Sequence, residues 1–168
     1  MAKTKHLRDL MLDTLKDIYY AERKILKALP KMKRAAQSEE LKAAFEKHHG
    51  ETEGQIERLQ KVFELLDKPA RGKTCDAIEG IISEAEDIMD EFKGSPALDA
   101  GLISSAQAVE HYEITRYGTL HRWAHELGLE EVARLFNETL QQEWKTDADL
   151  TTLADATVND AAKETENA

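Results

Sequence analysis

Cysteine is nearly absent from this sequence: Cys75 is the only one, so no internal disulfide can form. That excludes a disulfide-stapled secreted scaffold and suits a reducing cytoplasm. Proline and glycine are also scarce, with 3 and 8 in 168 residues, too few turn signals for a meander of short strands. No run approaches the roughly 18 consecutive apolar residues that a membrane-spanning helix needs. The first residues, Met1 to His6, lead into an amphipathic pattern rather than an apolar block, so they do not read as a secretory signal. The chain is therefore expected in the cytoplasm, away from membranes. Basic residues are outnumbered, giving a formal net charge of −10, which argues against a general nucleic-acid binder. No phosphate-binding glycine loop, nucleophile elbow or Cys-x-x-Cys pair occurs.

What is abundant is Ala, Leu, Glu and Lys, all strong helix formers. Apolar periodicity and breaker residues predict helices over about 4–36, 39–66, 74–92, 96–127 and 129–156. Pro30 is expected to bend the first near its end, and Ser38 to cap the second. Asp67 to Gly72 breaks the chain, Gly94 stops the short third helix, and Gly128 separates the last two. Residues 158–168 are expected to form a polar, disordered tail. The fold class is thus all-α: four long helices in two antiparallel hairpins, one domain over 1–157. A long crossover between the hairpins carries the additional short helix. One long crossover is the connectivity of ferritin-like four-helix bundles. The halves echo each other, with Glu22 and Glu51 separated by 29 residues and Glu113 and Glu143 by 30.

The inward stripes carry the functional signal. The first helix reads Leu7, Met11, Thr14, Ile18, Glu22, Ile25, Leu29, Met32, and the second Leu41, Phe45, His48, Thr52, Gln55, Leu59, Val62, Leu66, with Glu51 beside it. The fourth reads Ile103, Ala106, Glu110, Glu113, Tyr117, Leu120, Ala124, Leu127, and the fifth Val132, Phe136, Leu140, Glu143, Asp147, Leu150, Ala154. Each stripe is apolar at both ends and polar near its midpoint, so antiparallel packing brings the acids to one level. An unpaired buried carboxylate costs several kcal/mol. Six of them together would exceed a typical total stability of about 5–15 kcal/mol. Two divalent cations would neutralise the charge and use the lone pairs. The alternatives are a protonated, water-filled polar core, or a different rotation of the helices.

Tyr19-Tyr20-Ala21-Glu22, His48-His49-Gly50-Glu51-Thr52, Ala108-Val109-Glu110-His111-Tyr112-Glu113 and Glu143-Trp144-Lys145-Thr146-Asp147, with Ala77-Ile78-Glu79-Gly80 in the crossover, resemble the YciE/YciF family of bacterial ferritin-like proteins. The resemblance covers nearly the whole chain. It implies a rubrerythrin-like dinuclear site, a homodimer and an association with stress responses, but no settled reaction. It also implies that Glu22 and Glu113 are terminal metal ligands, that Glu51 and Glu143 bridge two metals, and that Glu110 supplies an extra acid. The usual Glu-x-x-His pattern is broken, because its third positions are Gly54 and Thr146. His48 and Asp147 are the nearest replacements, and Gln55 is a weaker candidate. Iron is the metal the family implies, and manganese, calcium or magnesium suit such an oxygen-rich set.

Tyr20, Tyr112, Tyr117 and Trp144 lie near the expected site and read mainly as core or interface. His121 and His125 read as an exposed polar pair, and His111 as offset from the acid stripe. Two classes of function remain open: a redox protein that reacts with oxygen or peroxide, and a non-catalytic structural or interaction protein. Iron storage is a third, weaker option.

Overall fold

The computed structural model describes residues 4–163, and these contain helices and no strand. The elements are α1 (Leu7–Ala35), α2 (Glu39–Leu65), α3 (Asp76–Glu91), α4 (Leu98–Glu126), α5 (Glu130–Leu153), a π-helical turn (Ala154–Val158) and α6 (Asn159–Lys163). No helix among the described residues is long and apolar enough to cross a membrane.

Local chemistry sets most of the boundaries. The His6 backbone N–H donates to the Asp9 carboxylate at 2.9 Å, which starts α1 three residues later than periodicity alone suggests. Ser38 caps α2, its Oγ accepting from the Leu41 N–H at 3.1 Å. Gly128 adopts φ 68° after α4, and the following Leu129 N–H returns to the Ala124 carbonyl at 2.9 Å. That left-handed position is open to glycine at little cost and turns the chain directly into α5.

The long helices pack in a closed ring in which every neighbour runs antiparallel. Gln37, just past α1, meets Asp99 at the start of α4, while Tyr117 further along α4 reaches back to Glu22. On the other side Lys47 of α2 meets Asp149 of α5, and Arg58 meets Thr139. α3 lies along the groove between α1 and α4, parallel to α1, with Ile78, Ile82 and Ala85 buried. The fit is close enough that a Cβ on Gly101 of α4 would fall 2.7 Å from Ile88 Cγ2 of α3. Most of the apolar face of the crossover helix is thus covered within the chain itself, while Phe92 at its end is 43% exposed.

The C-terminal end departs from the sequence expectation. Residues 158–163, expected as disordered tail, belong to the helical structure, and Val158 is buried. The π turn adds a residue to the helical repeat. Val158 thereby comes to lie beside Pro96 and Asp99 at the head of α4. Residues 164–168 of the expected tail lie outside the described residues.

Asp99 joins the two hairpins. It is buried, and its two carboxylate oxygens accept from the backbone N–H groups of Gln37 (2.8 Å) and Ser38 (2.7 Å). Hydrogen bonds to a charged group are worth about 1.5–3 kcal/mol. Asp99→Ala is therefore expected to lower the thermal midpoint, by about 2–4 °C for each kcal/mol lost. Calorimetry checks this, and an unchanged midpoint would show that the α1–α2 turn holds its position without the carboxylate.

Candidate metal centre

Packing the polar midpoints together produces one buried cluster. One ligand atom each from His48 of α2, Glu110 and Glu113 of α4 and Glu143 of α5 lie within 4.8 Å of one another, and all four residues are buried. Glu22 of α1 is fully enclosed beside them and accepts a hydrogen bond from the Tyr117 hydroxyl. Gln55 is also buried and donates from Nε2 to Glu143. The helical repeat explains the grouping, since 48, 52 and 55, like 110, 113 and 117, lie one above the other on a single face.

Two expected site residues stand apart from this group. Glu51 lies at the rim, 22% exposed, where Oε2 accepts from Thr146 Oγ1 at 3.2 Å and Oε1 is 3.5 Å from the Lys47 ammonium. Asp147 is turned outward. Its Oδ2 is 3.1 Å from His111 Nε2, and its Oδ1 accepts from Gln107 Nε2 at 3.1 Å. The buried stripe of α5 passes through Thr139, Glu143, Thr146 and Leu150, not through Leu140 and Asp147. Leu140 outweighs Thr139 in apolarity, so periodicity alone favours a face rotated by one position, and the neighbouring helices decide the rotation. In α1 likewise, Leu15 is buried where Thr14 was expected.

Spacing alone did not single out Arg58, Thr139 or Gln142. Arg58 Nη1 donates to Thr139 Oγ1 (2.6 Å) and Gln142 Oε1 (3.1 Å), and Nε pairs with Glu138 at 3.3 Å. Thr139 stands one turn before Glu143, so its place in the i, i+4 series was the available signal. Of the nearby aromatics, Tyr117 touches the cluster. Tyr20 donates to Glu79, Tyr112 meets Cys75 Sγ at 3.0 Å, and Trp144 is half exposed. His121 and His125 engage different partners, the Ala133 carbonyl and Glu130.

The cluster is electrostatically incomplete as protein alone. Glu22 Oε2, both oxygens of Glu110 and of Glu113, Glu143 Oε2, Gln55 Oε1 and His48 Nε2 are buried without a hydrogen-bond partner. His48 Nε2 lies 3.1 Å from Glu110 Oε1 but lacks hydrogen-bonding alignment. Native interiors leave few such atoms, and each one costs about 1–3 kcal/mol, more when charged. Burial first, and then the Glu143 charge, raise the pKa of Glu22 to about 8. Burial likewise pushes Glu110, Glu113 and Glu143 upward. His48 is lowered to about 4, mainly by burial, so at neutral pH its imidazole is uncharged and has a lone pair to offer. Carboxylates with one neutral imidazole are a donor set for a divalent cation such as Fe(II) or Mn(II). The residues present fit a metal.

A pH dependence follows for metal-free protein. The folded carboxylates have pKa values above their unfolded values, so their contribution is complete below about 4.5 and is lost as pH rises. For Glu22 the loss extends to about 8. His48 acts oppositely, but only between about 4 and 6.5, and it is one group against four. The thermal midpoint of metal-free protein should therefore fall from pH 6.5 to 8, and Mn(II) should remove most of the fall. Scanning calorimetry across that range decides it, since a flat profile would mean that the acids are solvated.

Comparisons with known proteins agree with this architecture. The family model described as domain of unknown function (DUF892) matches residues 6–163. The Escherichia coli protein YciF is 42% identical over 164 residues, 97% of each chain. The crystal structure of the E. coli stress protein YciF superposes with a TM-score of 0.88, covering 93% of this chain and 99% of that one. YcfI from Rhodopseudomonas palustris matches with a TM-score of 0.85 and 45% identity, covering 88% and 94% of the two chains. A Xanthomonas campestris protein matches at 0.73 with 25% identity, over 97% and 100%. With its whole helical body matched and its sequence so close to YciF, this chain belongs to the DUF892 family.

Proposed function

We propose that this protein is a ferritin-like stress protein whose bundle core holds a dinuclear metal centre, with iron as the metal. The observation that carries the reading is the set of unpartnered carboxylate and imidazole atoms buried at one level of four helices. Glu22, His48, Glu110, Glu113 and Glu143 are assigned as ligands, and Glu51 as the ligand that joins from the rim. Asp147 is assigned to the outer layer with His111 and Gln107. Two antiparallel hairpins joined by one crossover support the ferritin-like description. The stress setting comes from the E. coli relative, and the reading includes a cytoplasmic homodimer.

Bound iron would supply one-electron chemistry toward oxygen or peroxide. The chain's own residues prepare for it. Tyr117 and Gln55 hold Glu22 and Glu143 by donating hydrogen bonds to them. Such outer partners typically change metal affinity 10–100-fold. Leu59, Val62 and Phe136 at one end, and Leu29, Phe45 and Ile103 at the other, exclude water from the level of the acids.

A second reading has one specific observation in its favour: the cluster offers a single imidazole, which leaves a harder, more oxygen-rich site than the Glu-x-x-His pattern. The metal would then be structural, in keeping with the R. palustris relative, which is provisionally named as a structural protein. Elemental analysis of protein purified without chelators should give close to two metal ions per chain. The Glu113→Ala/Glu143→Ala variant should lose at least about tenfold in affinity. Anaerobic Fe(II) loading followed by air should produce the near-ultraviolet absorption of ferric iron. Metal that raises the thermal midpoint without any spectral change in air would favour the structural reading, and no stoichiometric binding would end both.

A further inference from the structure

Between α2 and α5 a cavity of about 50 Å³ leads inward, lined among others by Phe45, Lys47, His48, Glu51, Thr146 and Asp149. Its outer end is wet, since Lys47 and Asp149 are each about half exposed. Its inner end is His48, which is buried in the carboxylate cluster. Another cavity touching His48, of about 20 Å³, lies against Ile25, Met32, Ile82, Met89, Ala106 and Val109. Its one carboxylate, Glu86, is half exposed and paired with Lys31 at 3.0 Å, and the apolar side chains offer a hydrated cation nothing in exchange for its water. The α2–α5 cavity has oxygen donors along its length: Asp149 at the mouth, then Glu51 and Thr146.

One side chain obstructs this approach. The Lys47 ammonium lies 3.3 Å from Asp149 Oδ2 and 3.5 Å from Glu51 Oε1, between the two acids that would first attract a cation. Lys145 also pairs with Asp149, at 2.8 Å, which further neutralises the mouth. Glu51 is held at the rim from both sides, by Lys47 and by the Thr146 hydroxyl. Given the metal reading above, on which this step rests, we propose that Lys47 is a gate. Its ammonium occupies the outer cation position in the α2–α5 cavity and keeps Glu51 turned toward the rim, and an entering divalent cation must displace it before Glu51 can join the buried ligands. Exposed ion pairs are weak and screened by salt, so the gate slows loading without blocking it.

Co(II) binding to apo-protein, followed by stopped-flow absorption under anaerobic conditions, tests this. Lys47→Gln removes the charge and should load about 5–10-fold faster than wild type with unchanged final stoichiometry. Lys47→Arg keeps the charge and should load at the wild-type rate. The gap between wild type and Lys47→Gln should narrow as NaCl is raised, because salt weakens the same ion pairs. Lys47 is exposed, and circular dichroism with a thermal melt confirms that each variant is folded. If wild type binds Co(II) and Lys47→Gln loads no faster, the gate is overturned while the metal centre stands. If neither binds Co(II), the metal reading falls and the gate falls with it.

Discussion

Four carboxylates enclosed at one height of a helical bundle impose the constraint around which this molecule is arranged. An ionised acid removed from water loses a hydration energy that neighbouring acids cannot replace, and their mutual repulsion adds to the cost. Arg58 is a nearby compensating cation, but it is one-fifth exposed and already shared among Thr139, Gln142 and Glu138. The apolar layers on either side therefore have two roles. Leu15, Leu59, Phe63, Leu120 and Phe136 fill one end of the bundle, and Leu29, Met32, Leu41, Phe45 and Ile103 the other. They provide the burial that holds the bundle together, and the same burial gives the acids between them their raised pKa values.

Holding four helices to one level requires that none slide along another, and the devices that prevent it lie far from the acids. Asp99 ties the start of α4 to the α1–α2 turn. Gly128 reverses the chain between α4 and α5 within a single short connection. α3 is wedged between α1 and α4, with Gly101 allowing Ile88 to approach the α4 backbone and Glu79 linked to Tyr20 and Lys24 of α1. A shift of one residue along any long helix would replace a buried acid by its neighbour, so registry and site are one problem.

The cluster is dry on the side facing α3 and becomes progressively wetter toward the α2–α5 seam. Glu22 and Glu113 have no exposure, Glu51 has some, and Lys47 and Asp149 are half in water. Asp147, His111 and Gln107 continue the polar layer on the α4–α5 side. This gradient distinguishes groups that can carry charge without help from those that require a cation beside them.

Much of this was legible in the residues themselves. The five main helices, the breaks at Gly94 and Gly128, the Ser38 cap and the polar midpoints of four apolar stripes all follow from spacings of three and four and from local backbone chemistry, which act within a few residues. On α4 the expected inward face, from Ile103 to Ala124, is the buried face. Tertiary packing alone decided the rest. It rotated α5 so that Thr139 and Thr146 face inward while Asp147 pairs with His111, it left Glu51 at the rim, and it buried Val158 through a π turn. A sequence sets which faces of a helix are greasy, but a difference of one position between two adjacent candidates is small in hydrophobic energy. Contacts with neighbouring helices, distant in the chain, choose between them.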